Sequence, residues 1–391
     1  MDLDFSEADE AFRAEVREWL TAHVPAAPLP SLESAEGFAA HREWEAELSA
    51  DRWSVVSWPE EYGGRGASIL RWLVFEEEYY AAGAPGRVSQ NGINLLAPTL
   101  FEHGTAEQRA RILPAMARGE VIWAQAWSEP ESGSDLASLR STARRTDGGW
   151  LLSGQKTWSS RAAFADRAFG LFRSDPDAGK PHHGLTYLMF PLDAEGVTVR
   201  PIGRLDGRPA FAELFLDDVF VPDEDVIGEP GQGWRVAMST TGNERGLTLR
   251  SPGRFTAAAD RLTALWREHA DPADTALRDR VADAVIGARA YRLFSYAGAS
   301  RVLHDEDGPA GAASSLNKVY WSELDIALHE TALDLLGPSG ELADHAEESP
   351  AHGAWAEGYT FALAGPIYAG TNEIQRDIIA ERLLGLPKGR R

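Results

Sequence analysis

Apolar residues recur with a helical period at both ends of this chain and with a strand period in its middle. Near the start, Ser6 precedes Glu7 and Asp9, and Phe12, Val16, Trp19 and Leu20 then fall on one face, which predicts a capped amphipathic helix. Trp58 to Gly66 reads as a tight loop, helical spacing resumes over Ile69 to Tyr80, and Thr105 caps a helix ending near Gly119. From Val121 the period shortens. The runs at Gly149–Gly154, Gly184–Phe190 and Gly196–Pro201 read as alternating, with turn residues between them, as in a small β domain. Beyond Trp234 the helical period returns, and Arg280 to Arg301 and Ser314 to Leu336 are long amphipathic stretches suited to a bundle. The expected organisation is three domains: helical over 1–120, β over 121–233 and a helical bundle over 234–391.

Composition narrows the functions open to such a chain. Its 391 residues, 43% hydrophobic, suffice for several folded lobes. With 60 acidic and 38 basic residues the formal charge is −22, which disfavours nucleic acid and anionic membrane as partners. Local basic groups can still admit an anionic ligand. There is no cysteine, so disulfides, thiolate catalysis and cysteine-ligated metal are excluded, while the redox compartment stays undecided. The acidic N-terminus lacks the basic and apolar regions of a signal peptide, and no apolar run reaches about 18 residues, so a cytoplasmic location without a membrane span is expected.

Most motif-like stretches carry no chemistry. Gly231-Gln232-Gly233 lacks the third glycine of a dinucleotide fingerprint and is not expected to follow a strand. Adjacent His182 and His183 do not have metal-ligand spacing, and Asp305 to Gly308 lacks the distal Glu of a calcium loop. Two segments hold more promise. Ala126 to Asp135 is rich in hydroxyls and glycine, which suits either a polar-ligand loop or a simple turn. Ala364 to Arg376 contains Gly370-Thr371-Asn372, which opens a helix whose N-terminus could meet an anion or could be an ordinary N-cap.

These two segments, together with Leu152 to Ser160, Trp58 to Gly64, Pro98-Thr99-Leu100, His103-Gly104-Thr105 and Ile378 to Arg382, resemble the acyl-CoA dehydrogenase family nearly end to end. The resemblance implies an acyl-CoA dehydrogenase-like fold: an N-terminal α-helical domain, a middle β-barrel or sandwich domain and a C-terminal α-helical bundle. FAD is implied between the β domain and the C-terminal helices. Trp127 and Ser128 would line the pyrimidine side of the flavin, and Trp158, Ser159 and Ser160 would pack near its ring. Ser134 would meet the pyrophosphate or the substrate's pantetheine arm, and Thr371 and Glu373 would contact FAD. Ala369 and Gly370 would adjoin the substrate, with the Ala369 N–H polarising the thioester carbonyl as the α-proton leaves.

Many family members carry their catalytic Glu where this chain has Ala369. Others place it on an earlier helix, and Glu244 in Asn243-Glu244-Arg245 stands at the matching position. Spacing alone makes Glu244 an exposed helix charge. With Ala369 in view, Glu244 is the expected base, and Arg245 stands beside the substrate or supports the helix. Arg161 occupies a position where the family commonly has glycine, and nothing in the sequence explains it.

Segments that homotetrameric members use to complete a neighbour's FAD site also differ. One reads Arg250-Ser251-Pro252-Gly253-Arg254-Phe255, and the other has Asp334 where Gln is usual, a poor neighbour for a pyrophosphate. This resembles members that pair with a second, different subunit, some of them degrading steroid side chains. The expectation is an α2β2 assembly, with a homotetramer as the alternative, in which Arg254 would be the substitute contact. The expected reaction dehydrogenates an acyl-CoA and passes electrons to an electron-transfer flavoprotein. A flavin oxidase or monooxygenase, a carrier-protein thioester dehydrogenase and a non-catalytic partner subunit are the competing functions.

Overall fold

The computed structural model describes residues 5–245, 250–303, 310–342, 346 and 348–388. The weak calcium-loop match at Asp305 to Gly308 lies outside them. The chain forms two compact units: Met1–Val24, Ala67–Ala84 and Arg245–Arg391 make the first, and Pro25–Gly66 and Pro85–Glu244 make the second.

The first unit is helical. Helix α1 (Glu7–His23) starts where the Ser6 side chain accepts from the Asp9 N–H, and it buries Phe12, Val16 and Leu20. It packs on α3 (Ile69–Ala81), which packs in turn on α7 (Pro252–His269). Helices α8 (Thr275–Leu303), α9 (Ala310–Leu336), α10 (Ala354–Ala362) and α11 (Asn372–Ile378) complete it. Its core gathers Phe255, Leu262, Tyr291, Trp321, Leu328 and Trp355.

Buried charge ties α1 to α3. Arg17 donates to both oxygens of Glu78 at 2.9 Å, and Arg13 donates to one at 3.0 Å. Burial works to raise the Glu78 pKa, but the two guanidiniums outweigh it and hold the carboxyl below its ordinary 4.5. A depressed carboxylate contributes stability above its unfolded pKa and loses it as pH falls through the folded value. The melting temperature is therefore expected to fall below about pH 4.5, and Glu78→Gln should flatten that decline. Calorimetry of both proteins from pH 3 to 7 checks this.

The second unit is built on a sheet in the order β6-β7-β3-β2-β4-β5-β8, with β1 added in parallel beside β4. The strands are β1 (Trp123–Ala126), β2 (Thr142–Thr146), β3 (Gly149–Ser160), β4 (Arg167–Arg173), β5 (Leu185–Pro191), β6 (Val197–Ile202), β7 (Phe211–Pro222) and β8 (Val226–Ile227). Pairing is otherwise antiparallel apart from one parallel step between β2 and β4. Trp150, Leu152, Phe172, Phe190, Leu214 and Val219 form its core. Helices α2 (Ala35–Ala50), α4 (Ala97–His103), α5 (Ala106–Ala117) and α6 (Gly233–Arg245) belong to the same unit. Thr105 and Gln108 form a capping box at α5, and the Gln108 amide also donates to the Val226 carbonyl at 2.6 Å.

One detail corrects the sequence reading. A strand, β8, does precede Gly231-Gln232-Gly233. It is two residues long and runs antiparallel to β5, so it forms no βαβ unit and the dinucleotide reading still fails. His182 and His183 sit in the turn before β5, and the described residues contain no group of three side chains suited to a metal ion.

Candidate active site

The loop after β1 and the end of β3 are locked together within the second unit. Thr157 N–H donates to the Ser128 carbonyl at 2.8 Å. Beneath that bond lies Lys156, fully buried, whose ammonium donates to Glu129 Oε1 at 2.8 Å, the Leu171 carbonyl at 2.8 Å and the Trp127 carbonyl at 3.3 Å. Its three hydrogens meet three acceptors. Glu129 also accepts from the backbone N–H groups of Arg140 at 2.6 Å and Ser141 at 2.9 Å. Burial pushes the Lys156 ammonium down to about 8, against the pull of Glu129. Burial also works to raise Glu129, but Lys156 and the backbone donors hold it below its ordinary value.

Immediately after Lys156 the β3–β7 register slips, and Trp158 adopts a left-handed backbone with φ 59°. A bulky residue holds that conformation only when its surroundings impose it. The bulge leaves the indole 60% exposed while Ser159 is buried. Two buried polar atoms here lack a protein partner, Trp127 Nε1 and Ser159 Oγ. A flat exposed indole with unmatched hydrogen-bonding groups nearby fits a planar, heteroatom-rich ring such as a flavin. Ser134 is exposed in the turn that Ser132 and Ser138 brace by donating to the Asp135 carbonyl, each at 2.7 Å.

Glu244 and Arg245 occupy the last turn of α6, and their side chains lie outside the described residues. Above them on the helix, buried Thr240 bonds to Thr99 of α4 at 2.7 Å.

In the first unit, Thr371 caps α11 by accepting from the Ile374 N–H at 3.3 Å, so its hydroxyl serves the N-cap. Ala369 and Gly370 are both left-handed, with φ 56° and 77°. Gln375 secures that bend by donating to the Ala369 carbonyl at 2.8 Å, and buried Asn372 accepts from Lys318 of α9 at 2.8 Å. Glu373 is exposed in the first turn of α11. A bond from its own N–H, followed by one from Thr371, lowers its pKa.

Three residues left open by the sequence now have partners. Arg161, itself left-handed at φ 55°, pairs with buried Glu33 at 3.1 Å. Arg254 pairs with buried Asp325 at 2.7 Å, so that guanidinium is already engaged. Asp334 pairs with Arg280 at 2.5 Å on an exposed surface. Asp334→Gln should therefore shift unfolding free energy by no more than about 1 kcal/mol, as read from a denaturant midpoint.

Sequence reasoning passed over Lys156, Glu129, Gln375 and Arg250. The Arg250 side chain is buried against the rings of Trp321 and Tyr368, with centroids 5.2 and 5.3 Å away, and donates to the Tyr368 hydroxyl at 2.5 Å. None of the four carried a usable signal, and Lys156 stands between polar Gln155 and Thr157 like an ordinary surface charge.

Comparison with known proteins agrees with this architecture. Models of the acyl-CoA dehydrogenase N-terminal, middle and C-terminal domains match residues 6–120, 124–219 and 231–384. Acyl-CoA dehydrogenase IpdE1 of Mycobacterium tuberculosis is 39% identical over 389 residues, covering 97% of this chain and 98% of that protein. A solved structure described as the Tcur3481-Tcur3483 steroid ACAD superposes with a TM-score of 0.89 at 30% identity over the whole of both chains. The ChsE4-ChsE5 complex from Mycobacterium tuberculosis does so at 0.86 and 29%, again over the whole of both chains. These are the modules, in order, of a flavin-dependent dehydrogenase of acyl thioesters. The chain belongs to the acyl-CoA dehydrogenase family.

Proposed function

We propose that this chain uses FAD to convert an acyl-CoA to its trans-2-enoyl thioester, with Glu244 as the base and an electron-transfer flavoprotein as acceptor. The supporting observation is the clamp that Lys156 and Glu129 place on Trp127–Ser128 and Trp158–Ser160, beside two unmatched buried polar atoms. FAD, when bound, supplies the hydride acceptor. Trp127, Ser128, Trp158, Ser159 and Ser160 hold and orient the ring, and Ser134 binds the pyrophosphate or pantetheine. Glu244 removes the α-proton. It sits on a helix rather than a loop, which favours reproducible placement. Thr371 and Glu373 take the cofactor-binding roles implied by the family, Ala369 and Gly370 the substrate-binding ones, and Arg245 supports the substrate.

The small side chain at Ala369 suits a branched or ring-bearing acyl group, and two of the similar solved structures carry the names of two proteins. We therefore assign a bulky acyl substrate and an α2β2 assembly, in the cytoplasm. Among the described residues, no helix is long and apolar enough to cross a membrane.

An absorbance spectrum of the purified chain, alone and with a co-expressed second dehydrogenase subunit, tests this. Flavin bands that bleach anaerobically with an acyl-CoA support the reaction, and bands present only with the partner support the shared site. Full FAD and turnover in the lone chain would exclude the heteromer. Rapid reoxidation by air would make the protein an oxidase, and a colourless protein in both preparations would end the enzymatic reading.

A further inference from the structure

Three buried hydroxyls join the helix of the proposed base to the strand beneath Trp127. Thr99 on α4, Thr240 on α6 and Tyr187 on β5 all have 0% exposure. Thr99 Oγ1 lies 2.7 Å from both the Leu95 carbonyl and Thr240 Oγ1, and Tyr187 Oη lies 3.3 Å from Thr240 Oγ1. A carbonyl only accepts, so the Thr99 hydrogen goes to Leu95 and Thr99 accepts from Thr240. Thr240 has then spent its hydrogen and accepts from Tyr187. The Val236 carbonyl, 3.2 Å from Thr240, is the longer option. The result is a one-way chain from Tyr187 through Thr240 and Thr99 to Leu95.

Its two ends matter. The Tyr187 ring stands edge-on to Trp127, with centroids 6.2 Å apart, and stacks on Phe169 at 6.1 Å. In the middle of the chain, Thr240 precedes Glu244 by four positions, so the two share one stripe of α6. Leu95, the final acceptor, lies in a π-helical turn, Gly92–Leu96, where the backbone departs from the ordinary hydrogen-bond ladder.

We propose that Thr240, held by Thr99 and Tyr187, is a positioning residue that fixes the rotation and height of the last turn of α6, and hence of Glu244. This inference rests on Glu244 being the base. Valine has the shape of threonine without the hydroxyl, so Thr240→Val deletes the chain while filling its space, and Thr240→Ser restores the hydroxyl alone.

The test uses the FAD-loaded protein, with its partner subunit if one is required. One measurement is amide hydrogen exchange over residues 233–245. The other is anaerobic flavin reduction by straight-chain, 2-methyl-branched and ring-bearing propanoyl-CoA thioesters. Thr240→Val is expected to retain FAD, speed exchange in the last turn of α6 and lower the reduction rate about tenfold to a hundredfold, with little change in the half-saturating thioester concentration. Thr240→Ser should recover most of that loss, and Tyr187→Phe should show a smaller loss of the same kind. Unchanged exchange in Thr240→Val overturns the proposal without needing a substrate. So does equal loss in the Val and Ser variants, which marks a packing effect. Glu244→Gln separates the two readings. If it slows reduction while Thr240→Val does not, only the positioning role fails. If Glu244→Gln reacts at the wild-type rate, the base assignment fails and takes this inference with it.

Discussion

Glu244→Gln will leave the bound-flavin spectrum intact and slow its anaerobic bleaching by acyl-CoA about 10²–10⁴-fold, the usual worth of a positioned general base. Glutamine keeps the length and the hydrogen-bonding oxygen but cannot take a proton. Because Ala369 offers no carboxylate, no second base at that position takes over. The loss should appear in the rate of reduction at saturating thioester, since binding does not depend on removing the proton. Stopped-flow reduction of the two proteins checks this, and a variant within about threefold of wild type would move the base elsewhere. It should likewise fail to exchange the substrate α-hydrogens with deuterium in heavy water.

The second large effect concerns stability. Glu129→Ala strands the Lys156 ammonium among apolar residues, with Phe172 4.8 Å below it and only two backbone carbonyls left as partners. Breaking a buried pair in this way costs about 3–5 kcal/mol, whereas replacing both partners costs much less. Glu129→Gln with Lys156→Met should therefore be more stable than Glu129→Ala alone, a non-additivity measurable by urea denaturation. The pair also gives a pH signature. Lys156 titrates at about 8 in the folded protein and at an ordinary 10.5 when unfolded. Between those values the unfolded chain binds the extra proton, so this group makes stability rise with pH, and Lys156→Met should remove that rise. In all three altered proteins FAD content should drop, because the clamp holds Trp127 and Ser128.

Much of this was legible in the sequence because it was written locally. The Ser6, Thr105 and Thr371 caps are each signalled within a few residues, and all three form. The α–β–α order followed from the change of period alone. Strand β4 offered no alternation to read, since five successive positions, Ala168 to Phe172, are buried, and β5, read as alternating, is likewise buried throughout Leu185 to Phe190. The Arg161–Glu33 pair bridges 128 positions of sequence and could not be inferred from either neighbourhood. Lys156 was hidden for a different reason. Lysine is almost never fully buried without a partner, and its partner Glu129 stands 27 positions away in another segment. Assigning α1 and α3 to the same unit as the C-terminal helices depends on contacts across most of the chain, which periodicity does not encode.

That assignment governs the order in which the molecule can be made. The second unit is complete once residue 244 has been synthesised, whereas the first needs Arg245–Arg391 as well. At ordinary synthesis speeds of about 5–20 residues per second, the rest of the chain takes roughly 7–30 s more, and α3, made long before, waits longer still for its partners. Throughout that interval α3, with Trp72, Leu73 and Phe75, lacks the C-terminal helices it packs on. A nascent chain of this design presents sticky helices at its leading end, so premature termination or a shortened C-terminus should yield aggregates rather than a smaller soluble enzyme.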